Sequence, residues 1–332
     1  MRVAVVGEPA GWHVGRLTAA LEARGHLASV VRWSEITAGI GVAPPADDST
    51  ARDAPDRFGP RALNEADAIV VRGMPGAAGF LGKAGPVDRL EEVVFRMDAL
   101  GRIASRGTRV INSPRSLEFA IDKYLSLARL AATGLPVPRT LVVQDAAGVA
   151  AAREQLGGDC VVKPLFGSRG RGLHRLDSRD AMADWLDLPE IRQRPGQVVY
   201  LQEFIRHEGW DARLFTLGSR VFAMRRRAAP GDWRANVARG GLPEPFAPPP
   251  EWIDLARRAA AALETEIAGV DLVSAPDGRP VVLEVNAVPG WRALETVVAA
   301  DIAAEVVRHV ETTAGSGDRA LAHTSPDGAP SP

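Results

Sequence analysis

Three side chains near the end of the chain carry hard oxygen atoms. They are Asp271, Glu284 and Asn286, in GVDLVSAPDGRPVVLEVNAVPG, residues 269–290. Two runs rich in valine and leucine flank Pro276-Asp277-Gly278, the composition of a β-hairpin with a glycine-bearing turn. A turn centred on Asp277-Gly278 pairs residues whose numbers sum to 555, which sets Asp271 opposite Glu284. Asn286, two residues further, shares the face of Glu284. Two carboxylates and an amide oxygen on one patch suit Mg²⁺, which leaves its other positions to water and phosphate. A solvated hairpin face with scattered acids is the other reading of the same residues.

Groups suited to phosphate stand upstream. CVVKPL, residues 160–165, precedes the loop GSRGRG, residues 167–172, and Leu173–Leu176 follows as a strand. A Walker or Rossmann loop would enter a helix instead, and the Gly-Lys-Ser/Thr ending is missing. Amides of a glycine-rich hairpin can fold over phosphate oxygens, with Lys163 just before it. A flexible hairpin with an edge-strand lysine is the alternative. Val221–Arg227 ends in three arginines and leads into GDWRANVARGG, residues 231–241, which holds Arg234 and Asn236. Such arginines are usually a solvated edge; sharing a sheet with the acidic hairpin, they would suit a polyphosphate between them.

The elements that must hold these groups follow in order. RVAVVG, residues 2–7, a helical stretch ending near Gly25, and Ala28–Trp33 open the chain as a βαβ unit. The dinucleotide fingerprint spacing is absent after Gly7, so a Rossmann-like scaffold without NAD is expected. Residues 39–62 lack periodicity and read as a mobile insertion. The strand Ala68–Val71 leads to Arg72, a candidate for an acidic substrate, and a loop reaching to about Pro86. Leu90–Ser105 reads as a helix, Arg109–Ile111 as a strand and Asn112-Ser113-Pro114 as a domain boundary. Ser116–Thr133 reads as one helix containing Lys123. Strands are expected at Thr140–Val143, Val198–Ile205 and Leu214–Leu217, and a helix at Glu251–Ile267. Asp301–Glu311 is a last helix before a tail rich in Gly, Ser, Ala and Pro, expected to be disordered.

Composition narrows the class. With 332 residues, two or three packed units are expected. A net charge of −1 gives no footprint for nucleic acid or an acidic membrane surface. The single cysteine, Cys160, excludes an internal disulfide framework and reads as core rather than nucleophile. The six histidines show no metal-ligand spacing, and His207-Glu208 lacks the second histidine of a zinc motif. No apolar run approaches the ~20 residues that span a bilayer, and no signal peptide opens the chain, so a cytoplasmic protein is expected.

From about Asn112 to His309 the chain resembles the ATP-grasp ligases, most closely the RimK-type α-L-glutamate ligases. The matching stretches are INSPRSLEFAIDKYLSLARLAATGLPVPRT, VVKPLFGSRGRG, LQEFI, WDARLFTLGSRVFAMRRRA, GDWRANVARGG and GVDLV with LEVNAVPG. The resemblance implies an α/β fold of ATP-grasp type. A preATP-grasp domain would occupy residues 1–112, ATP-grasp subdomains 113–195 and 196–311, and a disordered tail 312–332. It implies ATP contacts by Lys123, Lys163, Gly167, Ser168, Arg169, Gly170, Glu203, Phe204, Ile205, Asp211 and Arg234. Within these, Glu203 and Phe204 match the linker that holds adenine through backbone groups, and Asp211 the position near the ribose. Arg213, Arg225 and Asn236 match positions around the triphosphate and the transferred phosphoryl group. Asp271, Glu284 and Asn286 match the ligands of Mg²⁺, with Mn²⁺ as the alternative ion.

The activity so implied phosphorylates a carboxylate and lets an amine displace phosphate to form an amide. L-glutamate is the expected amine. The segment AVPGWRALETV after Asn286 departs from many RimK-type sequences and is expected on the acceptor side. That departure, with Met74-Pro75 and VVFRMDAL at residues 93–100, favours a tetrahydromethanopterin-type pterin acceptor, ahead of a peptide or protein C-terminus. Related ligases assemble as dimers or tetramers, so a homo-oligomer is compatible with the resemblance. A non-catalytic ATP-binding regulatory module is the reading from another class, and loss of the metal ligands or arginines would mark it. None is lost here.

Overall fold

The structure is a computed structural model that describes residues 1–42, 56–75, 86–166, 172–193 and 197–314. Expectations for the middle of the 39–62 insertion, the loop 76–85 and the tail from 315 lie outside the described residues. The chain divides into two compact units, residues 1–111 together with those from Asp301 onward, and Asn112–Ala300.

The first unit begins with β1 (Arg2–Val6), α1 (Trp12–Ala23) and β2 (Leu27–Val31). A hairpin of β3 (Thr37–Ile40) and β4 (Asp56–Gly59) follows, so the expected irregular insertion starts and ends in paired strands. Then come β5 (Ala68–Val71), α2 (Pro86–Ser105) and β6 (Arg109–Ile111). Among the described residues the sheet order is β2-β1-β5-β6, all parallel. The unbroken apolar runs VAVV and AIVV are buried, as central parallel strands require. Gly25 ends α1 at φ +78°.

The second unit contains α3 (Pro114–Ile121), α4 (Lys123–Ala132), β7 (Thr140–Val143), α5 (Val149–Gln155), β8 (Cys160–Lys163) and β9 (His174–Leu176). After α6 (Arg179–Leu186) and α7 (Pro189–Arg192) come β10 (Val199–Glu203), β11 (Trp210–Leu217), β12 (Arg220–Arg227) and β13 (Leu242–Pro245). The unit ends with α8 (Pro250–Ala262), β14 (Ile267–Ser274) and β15 (Pro280–Asn286), and α9 (Ile302–Ala314) returns to the first unit. Two antiparallel sheets result, β7-β10-β8-β9 and β13-β12-β11-β14-β15.

These sheets divide the chain differently from the boundaries expected at 113–195 and 196–311. β10 pairs with both β7 and β8 and so belongs to the first sheet. Phe119, Leu127 and Leu130 of α3 and α4 share a core with Leu214, Trp252 and Val270 of the second. α9 is tied to the first unit, where Arg24 and His26 both hold Glu311.

Four side-chain hydrogen bonds fix the start of the second unit. Asn112 donates to the carbonyls of Ile267 and Ala287 at 2.6 Å each, and accepts from the amides of Glu266 and Ile267 at 2.7 and 3.0 Å. Its donors and acceptor lone pairs are all satisfied, which makes it a clamp on β14 as well as a boundary residue.

Candidate active site

A cleft of about 870 Å³ opens within the second unit, lined from both of its sheets. One end is apolar, with Val161, Leu173, Phe204, Ile205, Val273 and Leu283 forming its walls. The end of β10 supplies its backbone edge. Glu203 N–H donates to Arg139 O at 2.9 Å and Phe204 N–H to Asp159 O at 3.0 Å, while Ile205 N–H makes no hydrogen bond with the described residues. The Glu203 carboxylate accepts from the Arg139 amide and guanidinium at 2.9 and 2.6 Å, so its side chain positions the strand end. Arg175 stacks over the Phe204 ring at 3.7 Å and is held by Asp159.

Two lysines stand together at the other end. The single helix expected over Ser116–Thr133 is two helices, because Asp122 leaves helical geometry and caps α4. Its carboxylate accepts from the amides of Tyr124 and Leu125 at 2.7 and 3.1 Å. The break makes Lys123 the first residue of α4, with its Nζ 3.4 Å from the Leu165 carbonyl. Lys163, at the end of β8, donates to Gln202 Oε1 at 2.5 Å. Gln202 in turn donates to Tyr200 Oη at 3.2 Å and Thr140 Oγ1 at 3.3 Å. Burial pushes Lys163 down to about 8 and lowers Lys123 as well. Gln202 and Glu203 interrupt the otherwise apolar run VVYLQEFI, and the buried one of the two is Gln202. Gly167, Ser168, Arg169 and Gly170 lie outside the described residues.

Between these ends four charged side chains interlock. Arg213 grips Asp271 with Nε and Nη2, and Arg226 donates to both oxygens of Asp211, at 2.6 and 2.8 Å, while reaching Asp271 at 3.0 Å. Burial alone would raise Asp271, but the two arginines outweigh it and hold the carboxyl down to about 2. At Asp211 burial wins and raises the carboxyl, since Arg226 is shared. Arg226, rather than Arg225, lines the cleft. Arg225 instead pairs with Glu244 at 2.7 Å and lies over Trp210, outside the cleft lining. The two-residue loop Gly218-Ser219 sets this register, with Leu217 opposite Arg220 and therefore Asp211 opposite Arg226.

Arg234 and Asn236 line the cleft from the loop after β12. Asp232 shapes that loop by accepting from the Arg234 amide and guanidinium, all at 2.9 to 3.1 Å. A methyl group on Gly241 would overlap the Ala235 carbonyl, so glycine is required there for close approach.

The metal-ligand candidates fall on one hairpin. Asp271 is opposite Glu284 as expected, by a different route. The turn closes on Ala275 and Arg279, one residue off the expected centre, and a bulge at Leu283 restores the offset. The bulge turns Val282 and Val285 into the core and leaves Leu283 and Glu284 both on the cleft. Asn286 donates to Glu284 Oε1 at 3.0 Å and lines an adjoining cavity of about 420 Å³ together with Lys123 and Lys163. Among the described residues no group of three or more His, Cys, Asp or Glu could hold a metal alone. Two carboxylates and an amide fit a hard cation that takes its remaining ligands from phosphate and water.

Cys160 is buried in the first sheet's core, and burial pushes its thiol up to about 11. Trp291, expected on the acceptor side, is fully buried with its ring 6.0 Å from that of Phe215. Arg72 is buried at the end of β5 in the first unit, and burial lowers it to about 9. Among the described residues no helix is long and apolar enough to cross a membrane.

Residues 120–310 match the RimK-like ATP-grasp domain. The tetrahydromethanopterin:alpha-L-glutamate ligase of Methanosarcina acetivorans is 34% identical over 221 residues, 64% of this chain and 64% of that protein. A probable alpha-L-glutamate ligase 2 of Shewanella frigidimarina is 30% identical over 318 residues, covering 95% of this chain and 97% of the relative. The ATP-grasp ligase PsnB, solved with a phosphomimetic variant of its minimal precursor, Mg and ADP, superposes with a TM-score of 0.71 at 26% identity, covering 95% of this chain and 99% of that one. The chain belongs to the RimK-like ATP-grasp family of ligases, which form amide bonds.

Proposed function

We propose that this protein is a Mg-ATP-dependent ligase that joins L-glutamate, through its amine, to an acceptor carboxylate. The carrying observation is one cleft with an apolar wall at one end, Lys123 and Lys163 at the other, and Asp271 opposite Glu284 beside them. Adenine occupies the apolar end against Phe204 and the β10 edge. The lysines and Arg234 receive phosphate oxygens, and Asn236 faces the transferred group. Asp271, Glu284 and Asn286 would hold Mg²⁺, which would supply positive charge to the phosphates of bound ATP.

The reaction has two steps. An acceptor carboxylate oxygen attacks the γ-phosphorus of ATP, an O–P bond forms and ADP leaves. The neutral amine of glutamate then attacks the acyl carbon, the C–O bond to phosphate breaks, and the amine loses a proton as the amide forms. The protein's part is in-line placement and charge neutralisation. Arg226 and Arg213 contribute by fixing Asp271 as an anion.

A pterin-type acceptor is the first reading, supported by the similarity to the Methanosarcina ligase. A peptide acceptor is the second, supported by the likeness to PsnB, which spans nearly the whole chain. The test is ADP formation with L-glutamate across pterin, folate-like, deazaflavin and peptide carboxylates, with products read by mass. A gain of one glutamyl unit on a pterin supports the first reading. A gain on the peptide alone replaces the acceptor, and no ADP from any member argues against the ligase.

A further inference from the structure

Gln202 lines the cleft from β10, an inner strand of the first sheet, and is buried. Its Oε1 accepts from Lys163 Nζ at 2.5 Å. Its amide nitrogen donates to Tyr200 Oη at 3.2 Å and to Thr140 Oγ1 at 3.3 Å. Thr140 Oγ1 donates in turn to the Pro138 carbonyl at 3.1 Å, which leaves its lone pairs to receive Gln202. An ammonium accepts nothing and a carbonyl donates nothing. The two ends of this chain therefore set the direction of every bond between them, and the Gln202 amide cannot flip. Three neighbouring strands hold it in place, with Thr140 of β7 opposite Gln202 and Lys163 of β8 opposite Tyr200.

This network orients a cation without cancelling it. A carboxylate in the place of Gln202 would also accept from Lys163, but as a buried anion it would neutralise the ammonium. Thr140 is neutral, and burial keeps Tyr200 protonated by raising it to about 12. The acids that act on Lys163 are Glu284 and Asp271 of the facing hairpin, and Lys123 acts on it as a like charge. Among the described residues neither acid is hydrogen-bonded to Lys163. One of its three N–H donors is taken by Gln202, which leaves two for a ligand.

We propose that Gln202 is a positioning residue that aims Lys163 at the phosphates of the bound nucleotide while leaving its whole charge to them, an assignment that rests on the Mg-ATP reading of the cleft. It implies an order of effects. An acid at this position harms binding more than an apolar residue does, because it keeps the aim and cancels the charge.

Calorimetry at pH 7 without acceptor measures Mg-ATP binding to the full chain, to Gln202→Leu and to Gln202→Glu, and urea titration gives the midpoint of each. Gln202→Leu should weaken binding about 5-fold and Gln202→Glu at least about 20-fold. The midpoints should run the other way, with Gln202→Leu the less stable variant because it leaves Lys163 buried without its acceptor. A structural role alone would make affinity fall in step with the midpoint across the two variants, and that result overturns the proposal. Unchanged affinity in either variant also overturns it. No binding of Mg-ATP by the unaltered protein would overturn the nucleotide reading itself.

Discussion

Asp271 and Glu284 face each other across the β14–β15 hairpin, yet only Asp271 is locked by arginines. Asp271 is buried and Glu284 is half-buried on the cleft. The pair should therefore separate in mutagenesis. Asp271→Asn takes the balancing charge from Arg213 and Arg226 and should lower stability by about 3–5 kcal/mol. Glu284→Gln should leave the urea midpoint nearly unchanged while removing Mg-ATP turnover at least about 100-fold. Equal loss of stability in both variants would contradict this division.

The neighbouring arginines should differ as sharply. Arg226→Ala leaves Asp211 and Asp271 facing each other without their shared cation, so unfolding should come at lower denaturant and turnover should vanish. Arg225→Ala leaves Glu244 paired with Arg227 and should change turnover less than about 3-fold. Denaturant titration and steady-state kinetics on both variants check the assignment.

Lys163 gives the site a pH dependence of defined sign. Its value near 8 in the free protein lies below the ordinary 10.5, and bound phosphates would raise it again. Below that value the ammonium is present before and after binding, so affinity is flat. As pH rises above about 8, binding takes up a proton and affinity falls, by at most about tenfold per pH unit. Calorimetry in buffers of different ionisation heat should show that uptake in the unaltered protein and none in Lys163→Arg. For the free protein the unfolded chain binds more protons in the same window, so stability rises with pH there.

Gly241 tests the loop that carries Asn236. Gly241→Ala forces the new methyl group against the Ala235 carbonyl and must displace Asn236. The expected result is an unchanged far-ultraviolet spectrum with kcat lowered by more than about tenfold. Unchanged kcat would remove Asn236 from the site.

Much of the site was readable from spacing, for reasons that individual residues make plain. Asp271 and Glu284 could be paired by counting outward from a turn, although the count succeeds because two offsets cancel. A turn one residue longer and a bulge at Leu283 each shift the register; Pro276 and Gly278 announce the turn but not its length, and no glycine or proline stands at the bulge. Lys123 was visible, but its position at a helix start depends on Asp122 leaving helical geometry, which an Asp inside a periodic run does not require. Arg226 and Arg225 could be separated only by fixing the register from the Gly218-Ser219 loop. The parallel strands of the first unit were legible because their runs are apolar on both faces. The allocation of β10 and α9 was not, since long-range pairing and packing decide it.

Amide formation through an acyl phosphate would be recorded in the fate of one oxygen. The acceptor carboxylate is labelled with heavy oxygen and turned over with Mg-ATP and L-glutamate, and the released phosphate is weighed. The expected phosphate carries one labelled oxygen, in step with the glutamylated product. Glutamylated product accompanied by unlabelled phosphate would contradict it.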